Sequence, residues 1–210
     1  MLHESVEPFS FCIVIDILYT SALDSNERIS EGINMCGRYN FGQSLVEKMK
    51  VEMSTKEYEQ ISFGEVRPGN HAAVKMQDGY HAVKWGVNVD WSKRLIINSR
   101  LESVKDKVFF KTDYLTNRCI IFANSYYEWD DQKTKYEIST EEDILLMAGF
   151  IMDKGKRDEF VILTEGVQRD IRHIHNRMPV ILSDKEANDY LSGLDISIFV
   201  RYHEMKYRIV

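Results

Sequence analysis

Cysteine and proline are scarce in this 210-residue chain, with three of each, and glycine stops at 11. So little glycine and proline excludes collagen-like and low-complexity chains, and 44% hydrophobic residues excludes a solvated, disordered one. The cysteines, Cys12, Cys36 and Cys119, are odd in number and lack C-x-x-C spacing. They do not form a secreted disulfide framework, and they point to a reducing, cytoplasmic compartment. Long apolar runs are also missing. The stretch from Phe9 to Tyr19 is broken by Asp16 and preceded by Glu4 and Glu7 with no Lys or Arg, so it is neither a signal peptide nor a membrane span. There is no excess of positive charge either: the formal net charge is −6. That excludes the long-range field of a general duplex-DNA binder and leaves room for a local basic groove.

The acidity is concentrated at the start. Residues 1–34 hold six acidic residues against Arg28, while the remainder has 27 acidic and 26 basic residues. Residues 1–34 carry neither capping signals nor a sustained period, and the pattern changes at Met35, so the chain divides into an N-terminal extension, 1–34, and one domain, 35–210. Leu45, Val46, Met49 and Met53 predict an amphipathic helix after Gly42. Strands are predicted at Ala72–Lys75, His81–Trp85, Leu95–Asn98, Cys119–Ala123, Tyr136–Ile138, Leu145–Phe150, Phe160–Leu163 and Val180–Leu182. A helix is predicted from Glu165 to about Ile174 on the stripe Val167, Ile171, Ile174. Another starts at Ser183, which has capping-box spacing to Glu186, and stops at Gly193. The pattern is α+β and β-rich, with mostly antiparallel strands, because the strands do not alternate with crossover helices.

Four islands place reactive groups among core-like strands: Met35 to Arg38, Asn98 to Arg100, Tyr127 to Trp129 and His175 to Pro179. Cys36 suits either a small buried hydrophobe or a nucleophile whose thiolate Arg38 favours. Cys119, inside an apolar strand, reads as core. If extended, Glu128 shares a face with Tyr126, and Tyr127 and Trp129 share the other. Glu128 is then either a desolvated acid-base group or an edge carboxylate paired with a cation. His175, stiffened by Pro179, is either a held imidazole or an exposed residue at a helix end. His173 and His175 lack acidic or cysteine partners at zinc spacing, so a metal is the weaker reading. Asn98 and Arg100 share a strand face and could hold an oxyanion and a phosphate, or form a strand-end pair with Glu102. Trp85, Trp91, Lys93 and Arg94 add rings and cations of the kind that bind single strands, although tryptophans are more often core.

In order, these islands resemble the SOS response-associated peptidase (SRAP), or abasic-site-processing, family. The matching residues are MCGR (Met35 to Arg38), Trp85-Gly86, N-S-R-x-E (Asn98 to Glu102), RCIIFANSYYEW (Arg118 to Trp129), Ala148-Gly149, Ile162 to Thr164 and IHNRMPVIL (Ile174 to Leu182). The resemblance implies a barrel-like core with a few short helices. It implies an enzyme of DNA damage and the SOS response that binds single-stranded DNA and bonds covalently to abasic sites, with associated lyase chemistry. It needs neither cofactor nor metal and acts as a cytoplasmic, nucleoid-associated monomer. On it, Cys36 is the nucleophile, Glu128 the acid-base carboxylate, His175 the proton-transfer histidine and Asn98 the group that orients the linkage. Arg38, Trp85, Arg100 and Arg177 match DNA contacts.

The chain departs from the family at Ala123-Asn124-Ser125-Tyr126, where Ala-Asp-Gly-Phe is usual, and at Ser99 and Leu101, which replace the commoner Ala and Ser. Those changes bear on turn geometry and substrate fit. The position of Cys36 bears on the reaction. A terminal cysteine offers an amine and a thiol on adjacent carbons and closes a thiazolidine on an aldehyde, but an internal one has no free amine. Either residues 1–34 are removed as a leader or translation starts at Met35, and the change of charge and pattern there favours the second. The alternative activity is that of a cysteine peptidase using Cys36 with His175, acting on its own leader. A non-catalytic single-strand binder is the third reading. Cys36→Ala separates them, since only the plain binder keeps its function.

Overall fold

The computed structural model describes residues 37–50, 53–153, 155 and 159–210, with side chains described except at 43 and 48–50. Cys36 and the extension 1–34 lie outside the described residues. In chain order the elements are β1 (Arg38–Phe41), α1 (Gln43–Lys50), α2 (Thr55–Tyr58), β2 (Gly64–Val66), β3 (His71–Met76), β4 (Gly79–Trp85), β5 (Val87–Val89), β6 (Ser92–Ile96) and β7 (Asn98–Arg100). They continue with α3 (Val108–Thr116), β8 (Arg118–Ala123), β9 (Ser125–Trp129), β10 (Lys135–Thr140), β11 (Leu145–Met152), β12 (Glu159–Gly166), β13 (Arg177–Pro179), β14 (Ile181–Leu182), α4 (Asp184–Leu191) and β15 (Met205–Ile209).

Five strands, β15-β10-β9-β1-β2, form an antiparallel sheet. In a second sheet β12, β4, β3, β8 and β11 close into a ring, because β11 also pairs with β12. Only the contacts of β12 with β4 and β7 are parallel. The expected β-rich, mostly antiparallel α+β barrel is what the chain builds.

β12 holds this arrangement together by changing partners along its length. Its first half, Glu159 to Ile162, closes the ring between β4 and β11. Its second half leaves the ring and takes β7 on one edge (Ile162↔Asn98, Thr164↔Arg100) and β13 on the other (Thr164↔Pro179, Gly166↔Arg177). One face of the ring strands gives Val74, Cys119, Ile121, Met147, Phe160 and Ile162 to a core shared with Tyr39 and Tyr126. The opposite face gives Ile120, Ala148, Phe150, Val161 and Leu163 to a second core completed by Phe110 and Tyr114 of α3 and Tyr190 of α4. Period-two alternation in continuously apolar strands is what allows both faces to be buried.

The predicted strands are present, with one divided: Leu95–Asn98 is split between β6 and β7 at Ile97. The Ser183 helix forms as read, with a full capping box to Glu186, and Gly193 beyond its end takes φ +101. The helix predicted over Glu165 to Ile174 does not form. Glu165 and Gly166 extend β12, and only a short 3-10 turn, Arg169–Ile171, follows. Val167, Ile171 and Ile174 are still buried, so the apolar stripe marks burial and not helix. The helix after Gly42 ends at Lys50, and Met53 packs on the core from the segment leading to α2.

Ring closure is tightest at Gly149. A Cβ there would stand 2.5 Å from Ile121 Cδ1 and 2.6 Å from the Val161 carbonyl oxygen, which is β12 backbone and cannot yield as a side chain can. Gly149→Ala is expected to cost roughly 1–3 kcal/mol through overpacking, read as a lower urea midpoint at unchanged m-value.

Candidate active site

β9 carries the buried carboxylate. Its alternation puts Tyr126 and Glu128 inward, both 0% exposed, and leaves Tyr127 and Trp129 half-buried on the outer face. β9 runs between β1 and β10, so Glu128 is on a central strand and the edge reading fails. Glu128 is paired across the ladder with Tyr136, and Tyr127 with Arg38. Arg38, two residues after Cys36, lies over the Trp129 ring at 5.3 Å, and its Nη1 donates to Glu65 Oε1 at 2.7 Å.

Trp85 belongs to the core, which corrects its reading as a DNA contact. It is 0% exposed, with its ring 5.1 Å from Tyr39 and 6.3 Å from Phe160, so no face is open to a base. Its Nε1 donates to the Ile97 carbonyl at 3.1 Å, which also accepts Ile162 N–H at 3.0 Å. Two donors on one carbonyl fix the backbone immediately before Asn98. Trp85 therefore positions Asn98, with Tyr39 of β1 packed against the same ring. Trp91, by contrast, is 65% exposed, with its ring edge-on to Phe109 at 4.9 Å.

Asn98 and Arg100 lie on one face of β7, with Ser99 between them buried. The pairing of this island with Glu102 does not occur through Arg100, which is exposed. Glu102 instead accepts two bonds from Arg177, at 2.6 and 2.8 Å. Arg177 Nη2 also donates to the Thr164 carbonyl at 2.7 Å, so a bidentate pair and a backbone bond hold this guanidinium against β12. Arg177 contributes twice, since its backbone N–H donates to His175 Nδ1 at 3.1 Å, whereas a bond from Nδ1 to its own carbonyl would span 3.4 Å. With Nδ1 accepting, the neutral ring carries its proton on Nε2.

His175 is half-buried and follows a 3-10 turn, not a helix. Burial, the largest cause, holds its pKa below the usual histidine value; the Arg177 backbone and Asp131 oppose it, and the Arg177 charge adds to the lowering. Asp131 follows β9, and the His173 ring packs edge-on to Tyr136, the ladder partner of Glu128. The His175 segment therefore lies by the β9–β10 hairpin that bears Glu128.

Around Glu65 the structure assembles groups the sequence does not signal. Glu65 Oε1 accepts from Arg38 and Arg67, and Oε2 accepts from Lys135 at 2.7 Å. The Lys135 hydrogen bond is the largest cause holding Glu65 at a pKa of about 2. Cys119, as read, is buried, and burial pushes its thiol pKa up.

The sequence pattern of the SOS response associated peptidase (SRAP) family matches residues 35–198. The chain belongs to the SRAP family. Among its relatives are abasic site processing protein YoqW of Bacillus subtilis (strain 168), 28% identical over 180 residues, covering 75% of this chain and 80% of that protein, and abasic site processing protein YedK of Escherichia coli (strain K12), 26% identical over 178 residues, covering 75% and 79%. A crystal structure of a protein from Bacteroides thetaiotaomicron shares the fold at a TM-score of 0.67 and 19% identity, over 83% of this chain and 92% of that one. One from Bordetella bronchiseptica does so at 0.67 and 20%, over 83% and 99%. Among the described residues of this SRAP chain no helix is long and apolar enough to cross a membrane.

Because folded His175 binds its proton less tightly than the unfolded chain, its contribution to stability is present above about pH 6.5 and is lost as pH falls through the lowered native value. The His175 ring titration followed by NMR is expected to show a midpoint below 6.5, and Arg177→Met is expected to raise it. An unmoved midpoint would remove Arg177 from the electrostatics of the ring.

Proposed function

We propose that this SRAP protein senses abasic sites in single-stranded DNA and bonds to them through Cys36 once that residue is N-terminal. The observation that carries the reading is the fully buried Glu128 on β9, adjacent to β1, the strand that starts two residues after Cys36. The relatives YoqW and YedK, both named abasic site processing proteins, support the same substrate.

The chemistry balances without any added reactant. The open abasic sugar presents an aldehyde. The Cys36 α-amine adds to it and water leaves, giving an imine, with Glu128 placed to move protons between nitrogen and the departing oxygen. The Cys36 thiol then adds across the C=N bond, its proton passing to nitrogen, and closes a five-membered thiazolidine. Net change is the loss of one water. Holding amine and thiol on one residue makes the closure intramolecular, which resists hydrolysis. His175, neutral at pH 7 with its proton on Nε2, assists sugar-ring opening and reversal, and Asn98 orients the linkage. The imine is also the species from which lyase cleavage of the strand would proceed. Arg38 and Arg100 take phosphates, Arg177 shapes the site through Glu102 and His175, and bases stack on the exposed Trp91.

The test is the intact mass of the Met35-start protein after incubation with a single-stranded oligonucleotide carrying one abasic site, with the full chain in parallel. A one-to-one adduct less one water, formed only with Cys36 terminal and lost in Cys36→Ala, is expected. Its absence from folded, Cys36-terminal protein sinks the reading, and peptide cleavage without adduct favours the cysteine peptidase. Glu128→Gln is expected to slow adduct formation at least tenfold, the lower range of what positioned acid-base groups supply being about 10²-fold, with DNA binding retained. Unchanged kinetics would take Glu128 out of the mechanism.

A further inference from the structure

The outer face of the five-stranded sheet carries a charge constellation that extends from Arg38 to groups the proposed chemistry does not use. Glu65 on β2 accepts from three cations: Arg38 Nη1 at 2.7 Å, Arg67 Nη2 at 3.0 Å and Lys135 Nζ at 2.7 Å. Three cations share this one carboxylate, and the neighbouring Glu137, whose pKa Lys135 also lowers, is itself paired with Arg208. The cations are held by more than the carboxylate. Lys135 Nζ stands 3.9 Å from the centre of the Tyr127 ring and 5.9 Å from that of Trp129, and Arg38 covers Trp129 at 5.3 Å. The rings fix the positions of the cations without neutralising them. The cluster is also accessible, the Arg67 side chain being 61% exposed and that of Arg38 37%. The carboxylate keeps its charge down to a pKa of about 2, so it is a permanent anion amid the three.

We infer that Arg38, Arg67 and Lys135 form a binding subsite for the phosphodiester backbone of a single strand, and that Glu65 is the placeholder anion that keeps the three cations converged when no strand is bound. The residues come from β1, β10 and the end of β2, and their charged heads converge on the two oxygens of one carboxylate, a compact cluster that one or two neighbouring phosphates of a strand would fill. Arg38, one of the three, follows Cys36 by two residues in the chain. The inference rests on the single-strand reading above and adds where the strand runs beyond the reacting sugar.

The experiment uses the full chain and an undamaged single-stranded oligonucleotide, so that binding is read apart from covalent capture, with the affinity measured across a salt series. Arg67→Gln and Lys135→Gln are each expected to weaken binding at low salt and to make the slope of log affinity against log salt shallower by about 0.7. Lys185→Gln on α4 serves as the control and leaves the slope unchanged. Glu65→Gln, which removes the competing carboxylate, is expected to tighten binding and steepen the slope, and thermal melting verifies that each variant is folded. Slopes equal to the wild type in both cation variants would overturn the subsite, and weaker binding by folded Glu65→Gln would overturn the placeholder role. Failure of the wild-type protein to form an abasic adduct tells against the crosslinking reading alone, since the slopes are read on DNA that cannot react.

Discussion

The fold depends on one strand doing two jobs. β12 closes the ring through Glu159 to Ile162 and then carries the site strands β7 and β13 on its two edges. A strand has only two edges, so β4 ends at Trp85 and β11 turns its edge from β12 to β14 beyond Gly149, where β7 and β13 take over. At that crossover Ile162 N–H bonds to the Ile97 carbonyl, and the same oxygen accepts from Trp85 Nε1. The tightest packing, at Gly149, closes the ring against the backbone of Val161, one residue away. Rigidity at the closure is therefore passed directly to Asn98 and Arg100 on one side and to Arg177 on the other. Reactive groups held by strands of a packed scaffold keep their geometry better than groups on free loops.

Electrostatics divides these groups into two kinds. Arg177 has its charge answered by Glu102 and its guanidinium tied to Thr164, and it acts on His175 through its backbone N–H and its field. Among the described residues Arg100 has no such tie. The pKa of Lys107 is lowered by desolvation first and then by the nearby charges of Arg100 and Arg177. Arg177 is thus structural in its first duty, while Arg100 is exposed.

What the sequence made legible was local. The alternation about Glu128, the capping box at Ser183 and the core strands follow from residues near one another in the chain. The false helix over Glu165 to Ile174 failed where local pattern met tertiary pairing: β13 offered Glu165 and Gly166 a ladder, and an irregular segment buried the same three apolar side chains. α3 went unseen for the opposite reason. Its apolar residues point all round, with Phe110 and Tyr114 buried while Val108 is 92% exposed, so no stripe marks it. Trp85 shows the limit of motif matching, because a motif position identifies a residue and not its exposure. Glu65 and Lys135, 70 residues apart, meet only because β2 and β10 lie in one sheet.

That last meeting resolves an apparent conflict between composition and substrate. Counting charges gives a body with 27 acidic and 26 basic residues, which suggests indifference to DNA. Affinity for a single strand depends on where cations stand, since salt screens separated charges within about 10 Å while adjacent ones act on the same phosphate. The fold spends some of its carboxylates inside small networks. Glu137 is taken up by Ser125 and Arg208, Glu165 by Arg201 and Glu159 by Lys84. These pairs are neutral in sum and contribute little field beyond their own neighbourhood. On the single-strand reading proposed above, the cations at Glu65 and at Arg100 with Lys107 are the ones a strand meets, so a nearly neutral body is compatible with local positive faces.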